Sequence, residues 1–266
     1  MKKQIVESVD SKFPFGGMSR QEVSVFAEKH RKDMQDRYRN EILEAIAKTD
    51  IITGDNIHYK SYEPRFETMD CDLMFNRSSE VLQRNLEGKT AILNFADYKS
   101  PGGLYLEGSV AQEEMLCHDS FLFEVLMAKR FWSFFDFNRE NLNKGKYADR
   151  MLYVPDLIFY DKYKADVISC AGVNMGWARR NSSVNIKDFE GAMILRIFFV
   201  ILQAYLHGVD NLILGAYGCG VFRNDPVTVA RSFQICLNVY FKNCFRKVIF
   251  PIPNAKMLEI FNGELH

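Results

Sequence analysis

The chain has 266 residues, with 34 Lys and Arg balanced by 34 Asp and Glu and 47% apolar residues, the composition of a globular protein rather than a disordered or fibrous one. A chain of this length buries roughly three quarters of the surface its unfolded form exposes, so one domain can hold a core without disulfides or a structural metal. Zero formal charge argues against a general nucleic-acid or acidic-membrane binder, whose affinity would come from surplus Lys and Arg.

In chain order, Met1 to Glu7 carries two Lys but no apolar stretch, so no secretory signal is expected. Phe13-Pro14-Phe15-Gly16-Gly17 reads as a loop, and Ser19-Arg20-Gln21-Glu22 has the spacing of a capping box. A long helix should follow, with Val23, Phe26, Ile42, Leu43 and Ile46 as its apolar stripe and Thr53-Gly54-Asp55-Asn56 as its end. From Thr90 short apolar runs alternate with helical stretches, the pattern of a sheet flanked by helices. Strands are expected at 91–95, 166–171, 212–216 and 248–252, and helices at 112–131, 188–207 and 226–240, the last with Asp225 as cap and Pro226 at its first position. The polar stretch 138–149 reads as a long surface loop or a lid. The apolar run from Met193 to Leu206 is interrupted by Arg196 and Gln203 and falls short of the about 20 residues that cross a bilayer.

Cys71, Cys117, Cys170, Cys219, Cys236 and Cys244 include no C-x-x-C pair, and the five His are scattered, so a zinc module has no support. Reduced, mostly buried thiols in a cytoplasmic monomer are the expectation, without membrane or nucleic-acid partners. His118-Asp119 is read as a helix-surface pair, and Cys219 as a small residue filling a turn rather than a nucleophile.

Two segments could carry chemistry. In the first, Asn94-Phe95-Ala96 runs into Ser100-Pro101-Gly102-Gly103, and a second small-residue loop delivers Gln112-Glu113-Glu114 to a helix start. Glycines let a backbone approach a ligand closely, and amides at a helix N-terminus favour anions, although an acidic first turn also simply complements the helix dipole. In the second, an apolar strand leads into Gly215-Ala216-Tyr217-Gly218-Cys219-Gly220-Val221-Phe222 and then a helix. That layout lets backbone N–H groups cradle a diphosphate without lysine, or forms a tight turn with no ligand. It is neither a dinucleotide fingerprint, since Arg223 stands where the third glycine belongs, nor a P-loop.

Together these segments resemble the microbial type of poly(ADP-ribose) glycohydrolase, a family within the macrodomain superfamily. The family signature is Gly-Gly-Gly, a short gap and Gln-Glu-Glu; here Gly102-Gly103-Leu104 is followed by seven residues and Gln112-Glu113-Glu114, so the third glycine is Leu. The likeness extends to Asn94-Phe95-Ala96, Tyr153-Val154-Pro155-Asp156, Asp166-Val167-Ile168 and the segment from Leu214 to Phe222 with Asn224-Asp225-Pro226. The resemblance implies an α/β fold, a three-layer α/β/α macrodomain with a central mixed sheet, in which residues 1–60 form a helical N-terminal extension and 61–266 the catalytic core. It implies ADP-ribose, poly(ADP-ribose) or ADP-ribosylated proteins as partners, and no metal or cofactor.

Carried over by position, the resemblance makes Glu114 the catalytic glutamate and Glu113 its ribose-orienting neighbour, with Gly102 and Gly103 as the catalytic loop. Gly218, Cys219, Gly220, Val221 and Phe222 become the diphosphate loop, Phe222 packing on the ligand, while Asn94, Phe95, Ala96 and Gln112 complete the binding set. Cleavage of a ribose–ribose bond passes through an oxocarbenium-like state, so one carboxyl could protonate the leaving hydroxyl and then deprotonate water. Two adjacent partly buried carboxylates should raise one pKa, which would help Glu114 hold its proton. The competing readings are a hydrolase for single ADP-ribose groups, a reader that binds without cleaving, which Leu104 would favour, and a structural or partner-binding protein.

Overall fold

The computed structural model describes residues 1–9, 13–55, 57–180 and 185–265, so Asn56 of the expected turn lies outside the described residues. Eight strands form one sheet: β1 (Lys2–Ile5), β2 (Asp50–Thr53), β3 (Asp70–Met74), β4 (Thr90–Phe95), β5 (Arg150–Phe159), β6 (Tyr163–Cys170), β7 (Asn211–Ile213) and β8 (Lys247–Pro251). Their order is β1-β3-β8-β7-β4-β6-β5-β2; the first six in that order run parallel, β5 pairs antiparallel with β6, and β2 pairs antiparallel with β5. Nine α-helices complete the described chain: α1 (Arg20–Arg37), α2 (Arg39–Lys48), α3 (Gln112–His118), α4 (Leu122–Leu126), α5 (Trp132–Glu140), α6 (Met175–Arg180), α7 (Ile186–Leu206), α8 (Pro226–Ile235) and α9 (Ala255–Glu264).

Both faces of the sheet are covered, so its central strands read as continuous apolar runs rather than alternating ones. The period of two still sorts them. Ala91, Leu93, Leu212, Val248 and Phe250 face the layer of α6 to α9, whereas Ile92, Ile213 and Ile249 face the layer of α1 to α5. This is the expected three-layer α/β/α arrangement. The same alternation puts Asn94 on the face of Ile92, beneath α3, where it meets Glu113.

The four strands expected from the apolar runs are present, with β7 ending at Ile213 rather than 216. Residues 1–60 are more than helical, since β1 and β2 supply both edges of the sheet. The long N-terminal helix breaks at Tyr38 into α1 and α2; Val23 and Ile42 are buried, but Phe26 and Leu43 stay exposed. The Ser19–Glu22 capping box forms as expected. The expected helix over 112–131 is interrupted after His118, because the Ser120 hydroxyl competes for backbone groups, donating to Leu116 O (2.7 Å) and accepting from Leu122 N (3.1 Å). Helix α8 starts as expected, with Asp225 accepting from Thr228 N, and continues into a π turn over Cys236–Tyr240.

Residues 138–149 are not a free surface loop. Asn138 is buried in α5 and donates to Tyr98 O (2.8 Å), Tyr98 stacks on Tyr147 at 4.0 Å, and Asp149 pairs with the buried Arg196 (2.6 Å). Helix α7 has 21 residues and is long and apolar enough to span a bilayer, contrary to the shorter run read from sequence; here most of it is buried in the core beside the sheet. His118 is likewise no surface residue. It is buried among Phe15, Phe26, His30 and Tyr105, both ring nitrogens lack a partner among the described residues, and burial pushes its pKa down to about 3.

Candidate active site

The C-terminal ends of the parallel strands open into one cleft of about 1050 Å3, the position where open α/β sheets hold their ligands. Its walls are the segment after β3 (Phe75 to Glu80), the end of β4 with α3, the loop after β7, and the turn after β8. The two segments singled out from sequence therefore meet, although more than a hundred residues separate them.

Strand β4 and helix α3 build the carboxylate pair. Glu113 and Glu114 sit in the first turn of α3 and are 4% and 6% exposed. Both oxygens of Glu113 are committed: Oε1 accepts from Asn94 Nδ2 (3.1 Å) and Oε2 from the Asp97 N–H (2.7 Å). Glu114 Oε1 accepts from the Leu104 N–H (2.9 Å), and among the described residues its Oε2 accepts from none. Burial lifts the Glu113 pKa well above the usual carboxylate range, against the lowering effect of its two hydrogen bonds, and the neighbouring Glu114 charge adds to the rise. The expectation of one raised carboxyl in the pair is met at Glu113.

The Gly-Gly turn is shaped around this pair. Gly103 has φ +60°, and a Cβ there would lie 2.5 Å from Glu114 Oε1 and 3.1 Å from Glu113 Oε2; at Gly102 (φ +72°) it would lie 2.5 Å from the Phe123 ring. Leu104 stays outside the left-handed region, so its backbone needs no glycine, and its side chain is 48% exposed at the cleft. Leu replacing the third glycine therefore leaves the N–H that fixes Glu114 in place.

In the loop after β7, Gly218 (φ +69°) packs on Asn224, whose Nδ2 donates to Gly218 O (2.9 Å) and Val173 O (2.8 Å). Gly218, Gly220, Val221 and Phe222 line the cleft; Phe222 stands edge-on to Tyr147 at 6.0 Å. Cys219 does not line it, and burial pushes its thiol up to about 12, which suits a turn-filling residue and not a nucleophile. Asn94, Ala96 and Gly102 also lie behind the wall, as supports, while Phe95 lines it.

Gln112 borders the cleft, but its carboxamide is occupied by the protein. Oε1 accepts from Phe95 N (2.8 Å), and Nε2 donates to Leu93 O (2.8 Å) and Ser78 Oγ (3.1 Å). It straps α3 to the end of β4. Sequence reasoning missed Asp97, whose Oδ1 accepts from the Lys99 and Ser100 N–H groups while its own N–H holds Glu113. It also missed the wall from Phe75 to Ser78; the only signal was the apolar Leu73-Met74 running into polar Asn76-Arg77-Ser78.

Two backbone-lined loops and a buried carboxylate pair at the strand ends define a glycohydrolase-type site on a macrodomain-like α/β/α fold. The chain belongs to the microbial-type PARG family, whose catalytic-domain profile matches residues 20–162, just over half of the sequence. Among solved structures it is similar to poly(ADP-ribose) glycohydrolase from Deinococcus radiodurans in complex with ADP-ribose, at 25% identity and TM-score 0.77, covering 85% of this chain and 97% of that one. The fold is also shared with poly(ADP-ribose) glycohydrolase from Thermomonospora curvata, at 21% identity and TM-score 0.76, covering 92% and 98%. The inhibitor-bound form of that protein, with ADP-HPD, matches at 22% identity and TM-score 0.75. No curated protein sequence matches the chain.

Proposed function

We propose that the chain hydrolyses the ribose–ribose O-glycosidic bonds of poly(ADP-ribose), releasing ADP-ribose, with Glu114 as general acid and then general base. The observation that carries this reading is the asymmetry of the pair: both oxygens of Glu113 are tied to the protein, whereas Glu114 has one oxygen fixed by Leu104 N–H and the other uncommitted among the described residues. Glu114 protonates the leaving ribose hydroxyl as the glycosidic bond breaks, then takes a proton from the water that adds to the oxocarbenium carbon. Glu113, clasped through both oxygens by Asn94 and the Asp97 N–H, orients the ribose being cleaved.

The loop 218–222 offers backbone N–H groups to the diphosphate, with Phe222 packing on the ligand, and that diphosphate stabilises the cationic sugar. ADP-ribose, poly(ADP-ribose) or modified proteins are the partners. Six buried free thiols fit a reducing compartment, which supports a cytoplasmic location.

The test is ADP-ribose release from poly- and mono-ADP-ribosylated proteins side by side, with wild type and Glu114→Gln. The expected result is release from polymer that falls about 10²–10⁴-fold in the variant, with ADP-ribose binding kept. Turnover at the wild-type rate in Glu114→Gln removes the mechanism, and release from mono-modified protein alone moves the substrate to single ADP-ribose groups.

A further inference from the structure

Four large apolar side chains that remain exposed, Phe13, Met18, Leu104 and Val110, gather around a second cavity of about 480 Å3. Phe15 and Arg20 also line it, and Arg20 is its one charged wall among the described residues. The cavity adjoins the catalytic cleft, because Phe13, Leu104, Ser109 and Val110 line both. Exposed apolar side chains that converge on one cavity, rather than scatter singly, suit a binding surface. The junction falls at Leu104, whose N–H holds Glu114 and whose side chain replaces a family glycine.

The walls are built, not loose. Helix α1 fixes the loop 104–108 through Arg20 Nε to Glu107 O (2.8 Å), Ser24 Oγ to Leu106 O (2.5 Å) and Tyr105 OH to Ala27 O (3.1 Å). Gly108 packs against the Arg20 carbonyl so closely that no Cβ fits. Among the described residues the terminal nitrogens of Arg20 make no hydrogen bond, so they remain available to a ligand.

We propose that this cavity is the leaving-group subsite, which takes the adenine of the ADP-ribose unit preceding the one released, with Leu104 as the specificity-setting lip between subsite and cleft. The proposal rests on the glycohydrolase reading of Glu114. In that reaction the leaving oxygen belongs to the ribose of an adenosine, so a purine lies one sugar away from the proton donor. The volume that adjoins Glu114 across Leu104 offers that purine aromatic and apolar walls, and bases stack on such walls whatever their identity. Arg20 supplies the paired donors that suit the next diphosphate. A peptide acceptor has neither the obligatory ring nor the obligatory phosphate at that distance.

Met18 and Arg20 line this cavity and not the cleft, so they separate the two sites experimentally. The experiment measures KM for poly(ADP-ribose), KM for a mono-ADP-ribosylated peptide, and Kd for ADP-ribose by calorimetry, in wild type, Met18→Asp and Arg20→Gln. A carboxylate set into the apolar wall should raise the polymer KM about tenfold in Met18→Asp, with Kd for ADP-ribose within about twofold of wild type. Arg20→Gln should raise the polymer KM and flatten its dependence on salt. An unchanged polymer KM in both variants overturns the subsite, as does a KM rise confined to the peptide, which would make the occupant a protein acceptor. Wild-type protein that releases nothing from polymer overturns the glycohydrolase reading as well, a result recognised before either variant is compared.

Discussion

Adding one methyl group at Gly103 tests whether the Gly-Gly turn exists to seat the carboxylates. In Gly103→Ala the new Cβ would begin 2.5 Å from Glu114 Oε1 and 3.1 Å from Glu113 Oε2. To restore ordinary contact, either Glu114 or the turn must retreat by roughly 0.5–1 Å, and a displacement of that size at a reacting group costs on the order of 10²-fold in rate. The left-handed φ of +60° adds about 1–2 kcal/mol of backbone strain, a loss that a domain stable by about 5–15 kcal/mol survives. Gly191, in α7 and outside the cleft, is the internal control, since a Cβ there meets nothing within 4 Å and its φ is not left-handed. Gly191→Ala should stay within about twofold of wild type. The assay is kcat/KM for ADP-ribose release from polymer by all three proteins, with calorimetry for ADP-ribose and urea unfolding to show that each is folded. A folded Gly103→Ala protein that keeps more than about half of the wild-type kcat/KM would refute the geometry of the site.

Glu113→Gln probes the buried carboxyl by its pH signature. A folded pKa raised above the unfolded 4.5 means the native state holds a proton the unfolded chain releases, so the ionisable carboxyl lowers stability progressively as pH rises above 4.5 and costs nothing below it. The variant should melt higher than wild type near about pH 8 and converge with it near about pH 4; a difference that stays constant across a pH series of melting curves contradicts the assignment. Arg196→Met removes a cation that is 2% exposed and bound to Asp149 Oδ1, Ala171 O and Lys146 O. Urea unfolding should show a loss of about 3–5 kcal/mol, and ADP-ribose binding should weaken because residues 146–149 carry the Tyr147 that backs Phe222. A loss under about 1 kcal/mol would mean these partners find water instead.

The parts of the site legible in the sequence are those where backbone conformation dictates residue type. Gly102, Gly103 and Gly218 all take left-handed φ at close approaches, so their spacing relative to Glu113 and Glu114 is informative by itself. Side-chain hydrogen bonding is different, because it depends on what the fold brings opposite. Gln112 stands in the same motif as the two glutamates, yet its carboxamide is spent on Phe95 N and Leu93 O, and only the pairing of α3 with β4 decides that. The same limit hid which partners each glutamate meets. Adjacency alone raises one pKa of the pair without saying which; Asn94 and the Asp97 N–H clasp Glu113 in a buried pocket, and Glu114 turns to Leu104. Fold-level misses have a comparable origin. The polar-looking stretch 138–149 is ordered by Arg196 in α7 and Tyr98 in the loop after β4, neither of which is near it in sequence. Leu104 joins both kinds of reading: its identity broke a sequence pattern, while its backbone kept the function of that pattern by holding Glu114. A side chain free to differ at such a point is where a catalytic motif can change substrate preference without losing its chemistry.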